Sequence, residues 1–190
     1  AYRATRRFED AVDLFAAIAA KRPDVRADAL AARAGFLDRL SELREAEKDY
    51  AEAARLDPRA ETFASLGTLR LRMERPAQAL DAYGRALEQA PNDAQIRYLH
   101  ARALWLTGKT TEAEREIDAL LADNAGFGAA WAVKGRLREA ASDEPGAVLA
   151  FQAALRGDPD NVEARFMLAR RALASGDFDR AKMWLAEIWE

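Results

Sequence analysis

The sequence contains no cysteine. This excludes disulfides, thiolate metal sites and cysteine nucleophiles, and it leaves cytoplasm and periplasm equally open. There is one histidine, His100, so imidazoles cannot combine to hold a metal. No apolar run approaches the roughly 20 residues that a membrane-crossing helix needs, so membrane insertion is not expected. Net charge is −3, from 29 Lys plus Arg against 32 Asp plus Glu, and no general basic field points to nucleic acid. An opening methionine and a signal-peptide pattern are also lacking. Ala1-Tyr2-Arg3 is therefore read as the start of a fragment or processed product.

What is present is ordinary for a globular chain. It has 190 residues, 50% hydrophobic and 32% charged, too apolar for disorder and long enough for one domain or one array of repeats. Arginine outnumbers lysine 24 to 5 and alanine is abundant, a usage expected of a GC-rich bacterial genome. Pro23, Pro58, Pro91 and Pro159 each follow an apolar helical pattern, with gaps of 35, 33 and 68. The last gap is twice 34, and Ala125 stands where the missing proline would fall. A unit of about 34 residues is repeating.

Aligned on these positions, each unit has Ala twelve residues earlier, a large apolar residue eight earlier and usually a small one five earlier. The sets are Ala11, Phe15 and Ile18; Ala46, Tyr50 and Ala53; Ala79, Tyr83 and Ala86. Then come Ala113, Ile117 and Leu120; Ala147, Phe151 and Ala154; and a shortened Ala181, Leu185 and Ile188. Offsets of four and three place each set on one helical face. Proline then stops that helix. An earlier helix in the unit shows Phe63, Leu66 and Gly67 in one repeat and Trp131 and Gly135 in another. Glycine there suits a close helix crossing.

This pattern resembles the tetratricopeptide repeat family. The matching positions are Phe63-Leu66-Gly67 with Ala79, Tyr83, Ala86 and Pro91, and Trp131-Gly135 with Ala147, Phe151, Ala154 and Pro159. The resemblance implies an all-α, right-handed superhelical solenoid of antiparallel helix pairs, a single array over residues 1–190. Its parts are a partial repeat at 1–26, repeats at about 27–59, 60–93, 94–127 and 128–161, and a truncated repeat at 162–190. Departures are local: His100-Ala101 and Arg33-Ala34 stand where the family carries Leu-Gly, and Ala125 where it carries Pro. Tyr2 fits the second half of a first helix, and Glu190 falls inside a second one without a cap. Trp184, Ile188 and Trp189 are therefore read as packing on the preceding helix, meeting an absent neighbour, or mediating self-association through that end.

Gly108-Lys109-Thr110 imitates the end of a phosphate-binding loop, but Ala103 replaces the first glycine and the preceding residues are helical in pattern. The register makes Gly108 a helix C-terminus and Thr111 with Glu114 the cap of the next helix, as Gly176 marks the same turn 68 residues later. Gly126 to Gly128 lacks the rest of a dinucleotide fingerprint. His100 has no partner nucleophile and is read as a structural side chain, buried or half-buried. Carboxylates such as Glu42 and Glu45 lie beside Arg39 and Arg44 on solvated faces. No catalytic residue, metal or cofactor is expected.

In the family, first helices line a concave groove. Transferred register gives Ala31, Gly35 and Asp38; Ala64, Thr68 and Leu71; Tyr98, Arg102 and Trp105; Ala132, Arg136 and Glu139; and Phe166, Arg170 and Leu173 as groove residues. Arg102, Arg136 and Arg170 recur at intervals of 34, a forked donor suited to carboxylates. With Tyr98, Trp105, Glu139 and Phe166 they form the expected partner site. The alternative role for these arginines is pairing with Glu139, Glu163 or other acids of neighbouring units, only to support the stack. The resemblance implies a non-catalytic scaffold that binds a protein or peptide segment, acidic with apolar anchors. The alternative is the positioning part of a larger enzyme or export machine, such as a glycosyl- or sulfotransferase or a polysaccharide-export protein. The Lys/Asn/Asn/Lys/Arg clamp of chaperone-binding relatives is absent: its slots hold Ala31, Gly35, Ser65, Gln95 and Leu99.

Overall fold

The computed structural model describes the backbone of residues 2–186 and the side chains of residues 6–186. Helices occupy nearly all of it: α1 (Tyr2–Lys21), α2 (Arg26–Arg39), α3 (Leu43–Leu56), α4 (Ala60–Arg72), α5 (Pro76–Gln89), α6 (Ala94–Leu106), α7 (Thr110–Asp123), α8 (Gly128–Ala140), α9 (Glu144–Gly157), α10 (Val162–Ala174) and α11 (Phe178–Ala186). Among the described residues there is no strand. The chain forms two compact units, residues 1–103 and 104–190. In the first, each of α1 to α4 packs on the helix that follows it up to α5; in the second, α7 to α10 do the same up to α11. Ile188 and Trp189 lie outside the described residues, as does Ala1.

Five turns join the paired helices, and they share one geometry. In each, the residue after the C-cap takes a left-handed conformation: Ser41 (φ 64°), Glu74 (59°), Gly108 (81°), Ser142 (59°) and Gly176 (78°). Two backbone hydrogen bonds close the turn. After α6 these are Gly108 N–H to Trp105 O at 3.0 Å and Lys109 N–H to Leu104 O at 2.9 Å. This is a Schellman closure, which satisfies carbonyls at the helix end. It also fixes where the next helix begins. The N-cap is Lys109, with no side-chain cap bond, and α7 starts at Thr110. The expected cap at Thr111 is thus two residues late, because the turn uses only the residues up to Lys109. Asp143 and Asn161 occupy N-cap positions and do cap, accepting from Gly146 N and Ala164 N at 2.9 Å.

A turn expected between Tyr2 and Ala11 is absent. The helix α1 runs unbroken from Tyr2 to Lys21, with Arg6 at the register of the left-handed residue. At the other helix ends, the expected stop by proline is really set one residue earlier. Asp57, Ala90 and Asp158 precede prolines and leave the helical region, with φ of −141°, −137° and −145°. Asn124 has φ −137° before Ala125, so this bend forms even without the ring.

Small residues and one large side chain alternate in the core. Ala79, Tyr83 and Ala86 are fully buried, as are Ala147, Phe151 and Ala154, and Ala113, Ile117 and Leu120. The glycines opposite are required. A Cβ on Gly67 would stand 2.6 Å from the Tyr83 ring, and one on Gly135 would stand 2.5 Å from that of Phe151. Each aromatic ring occupies the space that a side chain on its partner helix would need.

Candidate functional site

The register positions expected to face a partner lie on the first helix of each pair. In residues 1–103, Tyr98 is half-buried and Arg102 exposed on α6. Both sit within electrostatic reach of the buried Tyr83 phenol, where burial raises the pKa, a hydrogen bond to Thr68 lowers it, and Arg102 lowers it further against a smaller rise from Tyr98. Thr68 Oγ1 also donates to Ala64 O at 3.0 Å. Asp38 is engaged by the guanidinium of Arg72.

In residues 104–190 the expected residues converge more closely. Arg136 on α8 stands over the Trp105 ring, 5.7 Å from its centroid, an arrangement favoured by the ring's negative face. Its Nη1 lies 3.4 Å from Glu139 Oε2, one turn along the same helix, and its Nε 3.4 Å from Glu163 Oε1 on α10. Arg170 on α10 donates from Nη2 to Glu139 Oε1 at 2.6 Å. Glu139 therefore joins the two helices, and it is only 15% exposed. Two of the three recurring arginines, Arg136 and Arg170, thus pair with carboxylates.

Along α10, Phe166 and Leu173 are 53% and 48% exposed, one turn to either side of Arg170. Ala132 does not share this exposure. It is 2% exposed, because it belongs to the core cluster with Phe151, Ala164, Met167 and Leu168.

Sequence reasoning missed Arg171. Its Nη2 reaches Glu139 Oε1 at 3.4 Å while its Nη1 pairs with Glu144 at the start of α9. The doublet Arg170-Arg171 was visible, but 100° of helical rotation separates neighbours, so only one fitted the chosen face. Arg171 and Arg170 line a hollow of about 460 Å³ together with Glu139, Glu144, Ala174 and Ser175. A larger hollow, about 550 Å³, lies behind α10, with Val148, Leu168 and Trp184 as its apolar wall; Trp184 packs against the core there. None of the expected site residues lines that second hollow. His100 is half-buried. Among the described residues no group of three or more His, Cys, Asp or Glu is placed to hold a metal ion, and no helix is long and apolar enough to cross a membrane.

The family model described as tetratricopeptide repeat matches residues 70–137 and 140–190. No curated protein matches the chain by sequence. Solved structures share its fold. YrrB, described as a TPR protein with an unusual peptide-binding site, is 22% identical, over 85% of this chain and 84% of that one, with a TM-score of 0.71. PilW, described as a widely conserved type IV pilus biogenesis factor, is 19% identical over 98% and 87%, with a TM-score of 0.78. MamA from Desulfovibrio magneticus RS-1 is 17% identical over 94% and 93%, with a TM-score of 0.65.

Proposed function

The chain belongs to the tetratricopeptide repeat family, and from this premise we propose that it is a non-catalytic interaction scaffold holding a segment of a partner protein against its first helices. The observation that carries the reading is on α10: two large apolar side chains, Phe166 and Leu173, stand half-exposed with the guanidinium of Arg170 between them. An isolated exposed apolar residue needs no explanation, but a pair flanking a charged fork matches a segment with apolar anchors around a carboxylate. Trp105 and Arg136 extend the same chemistry within this unit, and Tyr98 with Arg102 offer it on the other. The peptide-binding site in the description of YrrB supports this use of the fold. The partner is a protein or peptide, acidic with apolar anchors, and no nucleic acid is involved.

A photo-crosslinking residue placed at Phe166 tests the proposal, with one at Leu149 as control. Leu149 is 64% exposed on α9 and belongs to no expected site. Adducts are expected from position 166 and not from 149, and the captured segments, sequenced by mass spectrometry, should carry Asp or Glu next to Leu or Phe. Equal adducts from both positions, or segments without acidic residues, would sink it.

A further inference from the structure

Three guanidiniums, those of Arg136, Arg170 and Arg171, converge on the single carboxylate of Glu139. A carboxylate offers about four lone-pair sites, whereas each guanidinium has about five N–H donors. Donors therefore exceed acceptors at the centre of the cluster. The other acids stand at its margin: Glu163 is 51% and Glu144 74% exposed. The excess is visible in one atom: Arg171 Nε is buried without a hydrogen-bond partner, while the Nε of Arg136 has only the ion pair with Glu163 at 3.4 Å. Arg170, the arginine nearest to solvent at 52% exposure, borders the 460 Å³ hollow that also holds Glu139 and Arg171. There is room beside the cluster for one more acidic group.

From this arrangement we infer that Glu139 is a built-in competitor: its carboxylate occupies the arginine cluster in place of a partner's acidic side chain and sets how strongly that side chain binds. The inference rests on the proposed reading of this face as an acidic-segment site. Glu139 shows by its own bonds what the cluster selects. An incoming carboxylate takes Arg170, while Arg136 and Arg171 retain Glu139. Binding is thus an exchange of one carboxylate for another, worth little by itself, and an apolar anchor on Phe166 or Leu173 must supply the remainder. Glu139 makes the site reject segments that are merely acidic.

The probe is a synthetic fluorescein-labelled peptide of alternating Glu and Phe, with a Gln-and-Phe counterpart, titrated by fluorescence anisotropy at low salt. Glu139→Gln should tighten binding of the Glu peptide about fivefold to tenfold and leave the Gln peptide unchanged. Adding Arg170→Ala to Glu139→Gln should remove the gain. Circular dichroism checks the fold. Should Glu139→Gln prove unstable, Glu139→Asp keeps the charge while withdrawing the carboxylate from Arg170, and a gain of about twofold is expected. Wild-type binding that neither variant tightens overturns the competitor role and leaves the acidic-segment reading standing. Tightening of both peptides alike overturns it as well. If neither wild type nor variant binds the Glu peptide, the acidic-segment reading itself falls, and the competitor with it.

Discussion

Ser41, Glu74 and Ser142 carry side chains in a left-handed conformation that glycine takes without strain. Gly108 and Gly176 fill the same turn without that cost, and nothing crowds either of them. Glu74→Gly should therefore stabilise the protein by about 0.5–1 kcal/mol, the relief of left-handed strain outweighing glycine's greater unfolded freedom. Gly108→Ala should destabilise it by about 1 kcal/mol. Urea denaturation of both variants checks the pair, and a loss of stability in Glu74→Gly would reject the argument. The next residue offers a second handle. Lys109 is an N-cap that makes no cap bond, while Asp143 at the equivalent position does. Lys109→Asp should add about 1 kcal/mol, read as a higher thermal midpoint. At this scale the sequence was half legible. Gly108 and Gly176 announce the turn, but serine and glutamate at the same slot give no signal, and the cap was misplaced because the Schellman closure, not the nearest threonine, decides where a helix starts.

Between elements, long charged side chains decide more than the repeat pattern can show. In α2, Arg33 holds the slot where the family carries leucine, and it reaches across to Asp49 on α3 with Nε–Oδ2 and Nη2–Oδ1 distances of 2.5 and 2.6 Å. Asp49 is 5% exposed, so Arg33→Leu alone leaves a buried carboxylate unpaired and should destabilise by about 3 kcal/mol. In the following repeat the same two slots hold Leu66 and Ala82, both buried. The double variant Arg33→Leu/Asp49→Ala copies that pair and should return stability to within about 1 kcal/mol of wild type. If the double variant is as unstable as the single, the pair does more than fill its slot. Tyr83 and Tyr50 link helices too. Burial raises both phenols above the ordinary 10.0. The unfolded chain then releases these protons before the folded one, so stability is full below pH 10.0 and falls as pH rises toward the raised values. Denaturation midpoints should drop more steeply above pH 10.0 for wild type than for Tyr83→Phe; identical slopes would remove Tyr83 from the account. The helices themselves were readable from the spacing of Ala and aromatic residues, and pairing of the recurring arginines with Glu139 or Glu163 was open as an alternative, whereas the part of Arg171 in the Glu139 cluster was not, because an arginine reaches sideways to acids on another helix and residue spacing does not encode that reach.

An array of repeats is stabilised by nearest neighbours, so the whole molecule need not respond to a local loss as one body. In residues 104–190, Phe151 shares a core with Ala132, Ala164, Met167 and Leu168 from the helices on either side, and its ring lies against Gly135. The fold class was legible in the recurrence for this reason: each repeat must present the same small and large residues to its neighbours, and the recurrence of about 34 residues records that demand. The sites that depart from the recurrence, such as Arg33 and Arg171, carry contacts that the neighbour rule does not require. Phe151→Ala should remove about 3–5 kcal/mol, and the neighbour rule says where. Hydrogen exchange should accelerate most in α8, α9 and α10, which line the vacated space, and less in α7. The gradient follows because opening α9 exposes α8 and α10 directly, while α7 loses a partner only when α8 also leaves. Mass-spectrometric exchange on the variant reads this helix by helix. Equal acceleration over α7 to α10 would mean that this part of the chain opens all at once, and the nearest-neighbour account would fail for it.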